Sequence, residues 1–239
     1  MLNYCRADLY RIGTRFSFLV WCFILIAVPA LLIIGVGSHY AASIVVQIVP
    51  GLMYVAFFLI TLIITEYTFR EDMLLGLYKN DTTSGITRTT IFISKYFSGV
   101  LLLLLMWVLC SASTVASIFY SFGTADGSSL LQEMVSTTMI SYFLNIAAFL
   151  TLFQMLSVLI QKTASLILVC ILCSTVLSNI SHMLGSNFPG LSKVLASLNP
   201  VVENSSPSVT LQIVMLTIPM VSIVILLMIG SFLFRKKEL

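Results

Sequence analysis

The sequence predicts an all-α integral membrane protein. Three observations lead there: six long apolar runs, the absence of Asp, Glu, Lys and Arg from every one of them, and a one-sided distribution of basic residues between them. The chain has 239 residues, of which 59% are hydrophobic and only 9% charged. Water-soluble domains do not have that composition. The longest polar interval, Glu66 to Tyr96, is too short to fold as an enzyme domain of its own.

The runs cover Ser17 to Gly37, Ile44 to Thr65, Phe97 to Tyr120, Met139 to Ile160, Thr163 to Met183 and Thr210 to Phe234, within a single membrane domain spanning 1–239. Each supplies the roughly 20 residues that a helix needs to cross a hydrocarbon core about 30 Å thick. A charge at the centre of such a helix costs on the order of 3 kcal/mol, which accounts for their absence. Helices satisfy their own backbone groups, so six transmembrane helices are expected.

Eleven of the twelve Lys and Arg fall in the segments before the first run, between the second and third, between the fourth and fifth, and after the sixth; Lys193 is the exception. The positive-inside rule therefore predicts that both termini are cytoplasmic. With the basic residues accounted for by topology, the net charge of +3 calls for no nucleic-acid partner.

Ahead of the first run, Leu2, Cys5, Leu9, Ile12 and Phe16 recur at alternating steps of three and four, with Arg6, Arg11 and Arg15 at the flanks and back. This pattern favours an amphipathic helix lying in the inner membrane interface over an unstructured basic leader. The first run is too long for a signal-peptide core and is expected to be retained.

The second inner segment opens with a short predicted helix, with Glu71 and Asp72 at its positive dipole end and Lys79 and Asn80 at the other. Met73, Leu74, Leu77 and Tyr78 share one face of it. An apolar face on a cytoplasmic loop is suited to a protein partner, or else folds back on the membrane surface or the inner ends of the spans. Past a turn at Asp81 to Gly85, with N-cap oxygens offered by Thr82, Thr83 and Ser84, a helix is expected from Ile86 into the third run. Arg88 and Lys95 lie seven residues apart on one side of it, aimed at lipid phosphates or an acidic partner, and Lys95 reads as a lipid anchor.

In the third run, the small residues from Cys110 to Ser117 suit close helix packing. Gln161 and Lys162 leave room only for a tight hairpin between the fourth and fifth runs. In the outer interval that follows, Leu191, Val194, Leu195 and Leu198 predict a short amphipathic helix on the outer leaflet. Pro29, Pro50 and Pro219 sit within runs and mark potential kinks. The amides Gln47, Asn145, Gln154, Asn179 and Gln212 are expected to hold helices together.

The sequence lacks a phosphate-binding loop, an H-E-x-x-H pair and a G-x-S-x-G elbow. His39 and His182 lie near the outer ends of runs. Cys170 and Cys173 form a C-x-x-C without the further ligands that a metal requires, and the cysteines suggest no disulfide framework. No catalytic, metal-binding or cofactor-binding residue is expected in this chain.

The basic leader, Ser84-Gly85-Ile86-Thr87-Arg88 followed by Ser94-Lys95, the outer Leu198-Asn199-Pro200 and the tail Phe234-Arg235-Lys236-Lys237 resemble the type-two permease subunits of bacterial ATP-binding-cassette exporters. Within that family, the size and the single membrane domain are similar to permeases that confer lantibiotic or bacteriocin immunity. The family often has a Gly-Thr pair in its loop helix, where this chain has Met73-Leu74-Leu75-Gly76-Leu77.

The resemblance implies a bacterial plasma-membrane protein paired with a second permease subunit, either identical or related. Separate ATPase subunits would carry ATP and Mg²⁺, docking at Met73, Leu74, Leu77, Tyr78 and Arg88. An amphipathic peptide or lipid-like compound would be exported. The alternative is a membrane scaffold or sensor subunit that transports nothing.

Overall fold

In the computed structural model, which describes residues 2–37, 56–76, 78, 82, 85–134, 138–160, 162, 164–169, 171–172 and 209–236, the leader forms α1, Leu2–Gly13. The chain then turns at Thr14, whose hydroxyl donates back to the Tyr10 and Arg11 carbonyls at 3.1 Å each. α2, Phe16–Gly37, follows at once.

Of the second predicted span, residues 56–65 are described and are helical; we call them α3. α3 does not end where the polar segment begins. It passes through a π-helical turn, Glu66–Arg70, into the four-residue helix α4, Glu71–Leu74. The hydroxyls of Thr65 and Thr68 donate to the carbonyls of Thr61 and Ile64 at 2.8 and 2.7 Å, a back-bonding that loosens the regular ladder. The loop helix stops before the expected Lys79–Asn80 end, because Gly76 takes a left-handed φ of +67° and its N–H closes on the Met73 carbonyl at 3.3 Å.

α5, Arg88–Met134, also starts later than the sequence suggested. Gly85, at φ +88°, turns the chain, and Thr87 caps the helix by accepting the Thr90 N–H at 3.3 Å. Thr82 instead donates its hydroxyl to the Tyr78 carbonyl at 3.0 Å. At Gly123, with φ +75°, α5 breaks just past the expected end of the third span. α6, Thr138–Leu159, and α7, Val209–Lys236, complete the long helices described. After α6 the chain is helical again over 164–169, close behind the expected hairpin tip.

Among the described residues, three helices, over Phe16–Gly35, Arg88–Gly123 and Leu216–Lys236, are long and apolar enough to cross a membrane, and the apolar part of α6, Phe143–Leu159, is shorter. No strand occurs among the described residues. Leu31 on α2 and Met228 on α7 are 67% and 68% exposed, within long apolar outer faces that water disfavours and hydrocarbon accepts.

Inside, α2 lies along α5, α7 along α6 and α5, and α1 rests on α5. Phe18, Phe57, Ile60, Ile64, Leu103, Met106, Ile146 and Leu150 fill the core. Where α5 meets α3 and α6, Gly99 permits a close approach: an added Cβ would sit 3.2 Å from Leu150 Cδ2 and 3.4 Å from Ile64 Cγ2. The small-residue surface of α5 faces α2, with the Ser113 hydroxyl donating to the Ile26 carbonyl at 3.3 Å.

Candidate functional site

Charges cluster where α1, α4 and the first turns of α5 meet. α1 presents Cys5, Asp8 and Ile12 on one face, all buried, so the predicted apolar stripe faces protein and carries a carboxylate within it. Phe16, the last member of that stripe, belongs to α2 and is 80% exposed. α4 contributes Asp72, and α5 contributes Lys95. The Lys95 ammonium, 1% exposed, donates to Asp8 Oδ1 and to Asp72 Oδ2, each at 2.6 Å. Lys95 is therefore not the lipid anchor expected from sequence. Its charge is neutralised inside the protein.

Arg11 closes the group from the solvent side. Its guanidinium forks onto both oxygens of Asp72, with the Nη2–Oδ2 distance 2.9 Å, and lies 3.5 Å from Asp8. The hydrogen bond to Asp72 raises Arg11 above its ordinary pKa, more than burial lowers it. With both carboxylates ionised, Asp8, Arg11, Asp72 and Lys95 balance to no net charge, which offsets the cost of burying them together. At the rim, Arg15 pairs with Glu71 and stacks 5.6 Å from the Tyr67 ring centroid. The Tyr67 hydroxyl lies 2.7 Å from Ser17 Oγ, tying the π-helical turn to the start of α2.

On the other side of α4 the contacts are aromatic. Phe69, Tyr78, Phe92 and Phe234 are all fully buried and stack with ring centroids 5.3 to 5.9 Å apart. The Tyr78 hydroxyl donates to the Phe69 carbonyl at 2.7 Å. Phe234 brings the last turn of α7 into this cluster, and the Arg88 guanidinium donates to the Arg235 carbonyl at 3.0 Å, capping that helix end. Gly230 is required one turn earlier, because a Cβ there would meet Phe92 Cζ at 2.5 Å.

The proposed docking residues therefore separate. Leu74 is exposed at 58%, and its neighbour Leu75 at 64%; Met73 packs against the aromatic cluster, and Tyr78 lies inside it. Arg88 faces the end of α7. Leu77 and the outer-helix residues Leu191, Val194, Leu195 and Leu198 lie outside the described residues, as do Cys170 and Cys173. Of the in-span amides, Asn145 and Gln154 are buried, and Gln154 Nε2 reaches the Lys95 carbonyl at 3.5 Å.

Sequence reasoning missed Asp8 and the pairing of Asp72 with Lys95. The signal was present: an acid between the apolar positions Cys5, Leu9 and Ile12, and a lone Lys at the mouth of an apolar run. Neither models of known protein families nor curated proteins give a match to this chain.

Proposed function

We propose that this chain is the permease subunit of an ATP-driven exporter of the ATP-binding-cassette type. Six spans with both termini in the cytoplasm of a bacterium complete this reading, together with a second permease subunit and separate ATPase chains that bind ATP and Mg²⁺. The cargo is an amphipathic peptide or lipid-like compound taken from the bilayer, which fits antimicrobial-peptide immunity of the lantibiotic kind. The chain itself catalyses nothing.

One observation carries the reading. Leu74 at the end of α4 and Leu75 just after it are exposed, while the segment is anchored to α1 and α5 through the Asp72 ion pairs and to α5 and α7 through the flanking Phe69 and Tyr78. A partner that displaces α4 must therefore move the ends of helices long enough to cross the membrane. That is the mechanical requirement of a permease driven by an ATPase it does not contain. The exposed leucines offer the contact, and the anchored sides offer the transmission.

The test is purification of the full chain from its native membrane in mild detergent. The exporter reading expects an ATP-hydrolysing subunit in the complex, whose turnover rises when an amphipathic peptide is added. A complex without any ATPase overturns it and leaves the scaffold or sensor reading in its place.

A further inference from the structure

Asp8 is the acid of the cluster whose charge is least compensated. The Arg11 fork closes on Asp72, and Lys95 is shared between the two carboxylates, so Asp8 holds Lys95 on Oδ1 and has Arg11 only at 3.5 Å. Its other oxygen, Oδ2, is buried and has no hydrogen-bond partner among the described residues. The charged groups that act on it are Lys95 from α5, Asp72 from α4 and Arg11 from its own helix. A bare carboxylate oxygen without a partner is among the more costly things to bury, and a proton on it removes most of that cost.

Burial pushes the Asp8 carboxyl above the usual carboxylate range. Lys95 and Arg11 oppose the shift without cancelling it, and the Asp72 charge adds to it. When α1 lifts away, Asp8 returns to water and to its ordinary acidity.

We infer that α1 is a proton-linked latch, which seats on α4 and α5 with uptake of a proton at Asp8 Oδ2 while Oδ1 continues to accept from Lys95. The seated state binds the proton more tightly than the lifted state. The added hold is therefore fully present below the ordinary carboxyl pKa, and it fades as pH rises through the value of the seated group. A single proton limits the effect to about tenfold in the seating equilibrium per pH unit. The latch does not depend on the exporter reading; a scaffold built on the same cluster would have it too.

Cys5 is a native reporter. It lies one turn before Asp8 on the same face of α1, is buried, and its thiol donates to the Ser94 carbonyl at 3.4 Å, so it reacts only when α1 lifts. The experiment uses the full chain in lipid nanodiscs with Cys22, Cys110, Cys170 and Cys173 replaced by Ala. Maleimide labelling of Cys5 is timed from pH 4 to 8 and divided, at each pH, by the rate for the same protein denatured in SDS, which cancels the thiolate fraction.

Protection should rise severalfold, and by no more than about tenfold per pH unit, as pH falls. Asp8→Asn should flatten the profile. Asp72→Asn frees Arg11 and Lys95 to compensate Asp8, and should move the rise to lower pH. Protection that is flat or that grows with pH in the parent would overturn the latch, as would a parental slope in Asp8→Asn or an unmoved profile in Asp72→Asn.

Discussion

Replacing Lys95 with Met removes the cation that hydrogen-bonds both buried carboxylates at 2.6 Å. Lys95 is 1% exposed, and the side chains of Asp8 and Asp72 are 8% and 3% exposed, so water cannot take over its role without opening the site. Arg11 remains for Asp72, and with both carboxylates ionised the cluster passes from neutral to a net charge of −1. Breaking a buried ion pair by removing one partner typically destabilises by about 3 to 5 kcal/mol, and the retained Arg11 places the expected loss near the lower end, about 3 kcal/mol at pH 7.

The loss should shrink in acid. Without Lys95 the Asp8 carboxyl rises further, and a raised group stabilises the folded form when protonated. Adding Asp8→Asn to Lys95→Met leaves the balanced Arg11–Asp72 pair and should restore about half of the loss. The assay is reversible unfolding of the full chain in detergent micelles, run as a double-mutant cycle over Asp8 and Lys95. A single variant within about 0.5 kcal/mol of the parent would refute the reasoning, as would a double variant less stable than the single.

Gly230→Ala forces a Cβ to within 2.5 Å of Phe92 Cζ, and Phe92 is held by Phe69 and Phe234, so a loss of about 1 to 3 kcal/mol should appear in the same unfolding assay. Tyr78→Phe keeps the ring but removes the hydrogen bond to the Phe69 carbonyl, and should destabilise by about 1 kcal/mol. Leu74→Asp with Leu75→Asp changes two exposed residues, so stability should stay within about 0.5 kcal/mol of the parent. Loss of a buried interface leucine costs about 1 to 3 kcal/mol, so an ATPase partner should bind roughly 5- to 150-fold more weakly.

How much was legible in advance depended on the kind of force involved. The apolar runs announce helices because length and freedom from charge are local properties, and α2, α5 and α7 follow them closely. The leader was readable for the same reason, through its stripe at helical period, but which surface would cover Cys5 and Ile12 was not. Boundaries at the loop went astray at Gly76 and Gly85, where a positive φ, invisible to periodicity, decides where a helix stops or starts.

The site was the least legible part. Asp8, Asp72 and Lys95 are 64 and 23 residues apart along the chain, and only tertiary packing brings them together. A lysine at the mouth of an apolar run looks the same whether it reaches to lipid phosphate or turns inward to two acids. Tyr78 shares a helical face with Leu74 only if the helix continues past Gly76, and it does not. That single glycine separates the buried anchor from the exposed leucines.

Site-directed crosslinking at α4 tests the central claim most directly. A cysteine at Leu75, 64% exposed, is compared with one at Tyr120, 80% exposed and 45 residues further along the chain near the far end of the α5 span. Each is treated in native membranes with a short thiol-to-amine crosslinker. The account predicts an adduct between position 75 and an ATP-binding chain, lost when Leu74 is also Asp, and none from position 120. An ATP-binding chain captured equally at both positions, or at neither, would contradict it.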